Sequence, residues 1–193
     1  MHDLDRKKQW ILEYERRFAF KLGEHVIGKP KMSVWMILIP IIIVWHMFRF
    51  KKYVEARNAF GKNYLRSREQ ALQAAHDSLV SGTPPRLQEI VDRMQMPSAA
   101  RPLYRDLLSV LTVHFRDLLA AEGEDIDRLL KHTYRRRIDY LLYLNRLGQA
   151  EKRLHAALRT ELRGGRKDID ETIAHMEMIS EAMRRREAER LFP

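Results

Sequence analysis

A chain of 193 residues, 45% hydrophobic and 32% charged, has the size and composition of one ordinary domain with an appendage. The lack of Cys excludes a disulfide scaffold, thiolate-bound zinc, Cys-ligated iron–sulfur clusters and thiol catalysis. The charged fraction excludes a polytopic membrane protein, the apolar content excludes wholesale disorder, and sparse Gly and Pro beside abundant Leu, Ala, Arg and Glu favour helices. The net charge of +10 divides into +4 over residues 1–49 and +6 over residues 50–193, so neither part is an all-basic tail.

Residues 3 to about 24 form an amphipathic pattern. Ile11, Tyr14, Phe18 and Leu22 recur at helical spacing, with Arg6, Lys8, Glu13, Arg16, Arg17 and Lys21 on other faces. Such a helix either lies in the plane of an anionic leaflet or packs on the rest of the chain. The aromatic residues in the stripe favour the leaflet, with Phe18 seated in the interface. Gly23 and Gly28-Lys29-Pro30 then interrupt the pattern, closing an arm over residues 1–31.

From Val34 to Phe48 the chain reads VWMILIPIIIVWHMF, without a formal charge. Within residues 32–50 this is a short, Pro-containing hydrophobic membrane segment, flanked by basic residues and carrying a Trp near each end. Trp35, Pro40 and Trp45 seat it, and Lys29, Lys31, Arg49, Lys51 and Lys52 meet headgroups. Two geometries compete. A bitopic helix is the commoner solution, whereas a re-entrant hairpin bent at Pro40 keeps both basic flanks on one side and both indoles at similar depth.

Residues 51–193 carry no strand-like alternation and read as a bundle of four to five helices, making the chain all-α. A first helix over 51–80 stops before Ser81-Gly82, and a short one spans 85–94. A third runs from about Ser98 or Arg101 to Glu122, with Gly123 as its stop. Asp125 is the expected N-cap of a long helix to about Leu162, and Gly164-Gly165 ends that helix. Arg137 and Glu151 interrupt its apolar seam, which argues for an intramolecular bundle while leaving a homo-oligomer open. Asp168 with Glu171 starts the last helix in the manner of a capping box.

No catalytic, cofactor or metal constellation stands out. The chain lacks HExxH, Glu-x-x-His, GxxxxGK[ST], GxGxxG and GxSxG, and the Glu171–His175 spacing reads as a surface pair. His114, on an apolar helix face, reads as a hydrogen-bonded core or rim residue. Two basic clusters remain. Arg128, Lys131, Arg135, Arg136 and Arg137, with His132, make a candidate patch for an anionic partner, and Arg184, Arg185, Arg186 and Arg190 make a second.

The expectation is a non-enzymatic, membrane-anchored helical adaptor, scaffold or accessory subunit, at an inner or plasma membrane with its bundle in the cytoplasm. Its partners would be the bilayer's anionic headgroups and an unidentified protein. Alternatives are a membrane-tethered nucleic-acid-binding regulator, which lacks base-reading signatures, and a lipid-sensing or remodelling module acting through the first helix and the apolar segment.

Overall fold

The computed structural model describes residues 2–26, 40–161 and 167–193, with residues 40–54 as helical backbone. Seven helices account for its regular structure, and no strand occurs among the described residues. They are α1 (His2–Val26), α2 (Pro40–Ser81), α3 (Leu87–Asp92), α4 (Ala100–Ala120), α5 (Ile126–Tyr134), α6 (Arg137–Glu161) and α7 (Lys167–Leu191).

The core is built around α4. Its Leu108, Leu111 and Phe115 are wholly buried, and Leu107, Leu118 and Leu119 nearly so. Those residues recur at the spacing that puts one broad stripe of a helix inward. Leu72 and Ala75 from α2, Leu129 and Leu130 from α5, Leu144 and Leu147 from α6, and Leu191 from α7 close over it.

The first helix belongs to this core. Ile11, Ala19 and Leu22 have no solvent exposure, and Glu15 shares their face. The stripe expected to lie on lipid is thus covered by α2, α4 and α7, and residues 2–26 are a wall of the bundle instead of an arm beside it. The α1–α2 contact is close enough that a Cβ on Gly61 would stand 3.1 Å from the Phe20 ring. Phe18, expected in the membrane interface, is half-buried with its ring 6.1 Å from that of Tyr64.

Boundaries follow local chemistry. Gly82 ends α2 with a φ of 69°, its amide bonding to the Ser78 carbonyl at 3.0 Å. Asp125 caps α5 as expected, its carboxylate accepting the Arg128 amide at 2.8 Å. The long helix expected from Asp125 to Leu162 is interrupted, because Arg135 adopts a φ of 50° and separates α5 from α6. Before the break α5 packs on α4, α1 and α7, and Arg190 of α7 reaches Asp127 at 2.6 Å. Gly123 stands beyond the extended C-cap Ala121, and close approach explains it: a Cβ there would lie 2.9 Å from that of Arg128.

At its other end α2 runs further than expected. It is one helix from Pro40 in the apolar run to Ser81 in the bundle, 42 residues long. Among the described residues, no helix is long and apolar enough to cross a membrane.

Candidate functional site

Four ionised side chains meet inside the bundle where α1, α2, α6 and α7 converge. Arg68 is 4% exposed, Glu151 8%, and Glu15 and Arg184 each 9%. Arg184 grips Glu151 through both guanidinium ends, at 2.7 Å and 2.8 Å. Arg68 reaches the same carboxylate at 2.6 Å and pairs with Glu15 at 3.0 Å. The Tyr64 hydroxyl accepts a hydrogen bond from each arginine at 2.8 Å. The Arg68 guanidinium also lies 3.7 Å from the Tyr64 ring centroid, a cation–π contact.

The four formal charges cancel, which is how a core tolerates them. Burial alone would raise the Glu151 carboxyl. Arg184 and Arg68 outweigh it by charge and hydrogen bond and hold Glu151 down at about 2. Glu15 goes the other way. Its burial exceeds the help it receives from Arg68 and Arg184, so its carboxyl lies above the ordinary range.

An aromatic layer backs this cluster. His114 on α4 stacks on Tyr143 at 4.0 Å and is hydrogen-bonded through Nδ1 to the Tyr134 hydroxyl at 2.6 Å. Burial, and secondarily the charge of Arg68, push the imidazole down to about 3, so it is neutral near pH 7. The hydrogen-bonded core role expected for His114 is the one it has. Tyr140 carries the layer on to Tyr14 and Phe192, and burial pushes its phenol up to about 12.

A cavity of about 240 Å³ opens beside the cluster between α6 and α7, lined in part by Tyr64, Asn145, Gly148, Ser180 and Arg184. Polar side chains on its rim are mutually paired, His155 with Glu177 at 2.9 Å and Lys152 with Glu181 at 3.4 Å. Among the described residues no group of three or more His, Asp or Glu side chains is placed to hold a metal ion. The cluster joins helices.

The basic patch expected to meet an anionic partner is largely engaged with the protein's own acids. Arg128 pairs with Glu124 at 3.1 Å, Arg136 with Asp139 at 2.9 Å, and Arg137 with Glu189 at 3.1 Å. Lys131 and Arg135 are exposed. The second cluster is split. Arg184 is the buried partner of Glu151, Arg185 pairs with Glu181 at 2.8 Å, and Arg190 clasps Asp127. Of the expected membrane-facing residues, Lys29, Lys31 and Trp35 lie outside the described residues. Pro40, Trp45, Arg49, Lys51 and Lys52 fall on the first turns of α2, where the backbone alone is described.

The buried cluster left one trace in the sequence: Glu151 is one of two charged residues, with Arg137, that interrupt the apolar seam. Arg68 and Arg184 sit among many other arginines, and nothing local distinguishes them. No protein-family model, curated protein or solved structure matches this chain.

Proposed function

We propose that this protein is a non-enzymatic, membrane-associated helical adaptor or accessory subunit whose bundle is held at a bilayer surface by the apolar segment. The observation that carries the reading is the continuity of α2. The uncharged run Val34–Phe48 leads without a helix break, from Pro40 onward, into the helix that supplies Leu65, Leu72 and Ala75 to the core. An apolar run placed there fixes the bundle close to whatever surface the run enters. Local concentration then strengthens modest contacts between the bundle and a partner. Arg49, Lys51 and Lys52 follow the run at once and suit anionic headgroups, while the nucleic-acid alternative is weakened by the internal pairing of Arg128, Arg136 and Arg137 in one arginine cluster and of Arg184, Arg185 and Arg190 in the other.

The test is flotation of the full chain with vesicles of phosphatidylcholine and phosphatidylglycerol. Wild type should float and stay bound through a high-salt wash. The Ile42→Asp/Val44→Asp variant should remain at the bottom of the gradient with an unchanged circular dichroism spectrum. A wild-type chain that stays soluble, or a variant that floats equally, overturns the reading.

A further inference from the structure

The way α1 lies on α2 fixes where the N-terminal end of α2 stands relative to α1. Asp5 bonds to His76 at 3.1 Å, Lys8 to Gln73 at 2.6 Å, and Glu15 to Arg68 at 3.0 Å, while Phe18 stacks on Tyr64 and Phe20 abuts Gly61. As the first number rises the second falls, so the helices are antiparallel. Each pair of numbers adds to between 81 and 83, so the register is held along the whole contact. Its midpoint falls at residues 40–42, beside Pro40 and at the centre of the apolar run.

We propose that the membrane-seated part of this protein includes the N-terminal end of α2, from Pro40 to Phe48, entering one leaflet of an anionic bilayer, so that residues 2–26 and the bundle stand on the same side. This rests on the membrane reading above and decides between its two geometries.

Three observations support it. In a bitopic chain α1 would sit across the bilayer from α2, α4 and α7, exposing Ile11, Ala19 and Leu22 and taking Glu15 from buried Arg68. On the observed register the end of α1 at Val26 lies level with about residue 56, and α2 continues past it by about 15 residues, roughly 22 Å. The uncharged stretch of α2, Pro40–Phe48, is then about 13 Å long, close to half of a hydrocarbon core of about 30 Å. It is too short to cross, and long enough to fill one leaflet before Arg49 meets the headgroups.

The sequence is symmetric about Pro40, close to that midpoint. Trp35 and Trp45 are each five residues from Pro40, Lys31 and Arg49 each nine, and Lys29 and Lys51 each eleven.

The chain has no cysteine, so single reporters are clean. Lys8→Cys and Arg146→Cys, singly, report the sidedness of α1 and the bundle in intact expressing cells with a membrane-impermeant maleimide. Lys8→Cys/Gln73→Cys, treated with a short bismaleimide in salt-washed membranes, reports whether α1 still lies on α2. Equal labelling at residues 8 and 146, with efficient cross-linking, is expected. Opposite labelling with loss of the cross-link overturns the hairpin and leaves membrane attachment standing. A protein that salt removes from the membranes overturns both.

Discussion

Glu151 receives both ends of the Arg184 guanidinium, 2.7 Å to one oxygen and 2.8 Å to the other, while Arg68 reaches it at 2.6 Å. One carboxylate on α6 therefore holds arginines from α7 and α2, and through Arg68 it is linked to Glu15 on α1. Glu151→Gln keeps the shape and removes the charge, leaving two buried guanidiniums facing one remaining carboxylate. Breaking a buried pair from one side typically costs about 3–5 kcal/mol. Urea denaturation should show a loss of that order. Glu151→Gln/Arg184→Met, which removes one charge of each sign, should recover part of it. A single variant within about 0.5 kcal/mol of wild type would contradict the account.

The aromatic layer gives a pH signature. His114 is depressed to about 3 in the fold, against 6.5 for the ordinary side chain. Between those values the unfolded chain binds a proton that the folded chain refuses, so stability falls as pH drops from 6.5 toward 3. Glu151, held at about 2 against an ordinary 4.5, adds a loss in the same direction, confined to pH below about 4.5. The raised Glu15 works in the opposite sense, its folded form taking up a proton above 4.5 as pH falls. His114→Gln removes only the first contribution. Its stability between pH 6.5 and 4.5 should fall less steeply than wild type's in urea titrations at closely spaced pH, and parallel profiles would refute the assignment.

The helices themselves were legible from the sequence because apolar spacing and caps act locally. Asp125 and Gly82 mark boundaries by chemistry contained within a few residues. Long-range choices were not legible. The stripe of α1 is equally apolar whether it meets lipid or α4, and only the partner of Glu15, Arg68, distant in sequence, settles which. The break at Arg135 was hidden for a similar reason. Nothing in Tyr-Arg-Arg-Arg disfavours a helix locally, and the contacts of α5 with α4, α1 and α7 are all distant in sequence or cross an element boundary.

That break invites a substitution. Arg135 holds a φ of 50° without being glycine, a conformation that crowds Cβ against backbone. Its side chain is exposed, so replacing it loses little packing. Arg135→Gly should raise stability by up to about 1 kcal/mol, the relieved crowding exceeding the added freedom of the unfolded chain. Arg135→Val, branched at Cβ, should lower it. Thermal melts of the two variants in one buffer check the order.

Gly123 is constrained by space. A Cβ there would stand 2.9 Å from that of Arg128 and 3.0 Å from the Leu129 nitrogen. Backbone cannot yield as a flexible side-chain tip can, so Gly123→Ala must shift the start of α5. A loss of about 1–3 kcal/mol is expected from such overpacking. The Arg190–Asp127 clasp should loosen with it. Gly148→Ala, which meets nothing within 4 Å, is the internal control and should be neutral or mildly stabilising within helix α6. Denaturation of both variants tests the contrast.

The two sets of basic residues should separate in lipid binding. Arg49, Lys51 and Lys52 adjoin the apolar run, and a Lys or Arg near an anionic surface contributes about 1 kcal/mol, roughly fivefold in affinity. Arg49→Gln/Lys51→Gln/Lys52→Gln should therefore weaken binding to anionic vesicles by on the order of a hundredfold and flatten its dependence on salt. Arg136 and Arg137 spend their charge on Asp139 and Glu189, so Arg136→Gln/Arg137→Gln should leave vesicle affinity within about twofold of wild type. Vesicle titrations at two ionic strengths distinguish the sets. A large effect from the second variant would mean that the α5–α6 junction, instead of the start of α2, faces the membrane.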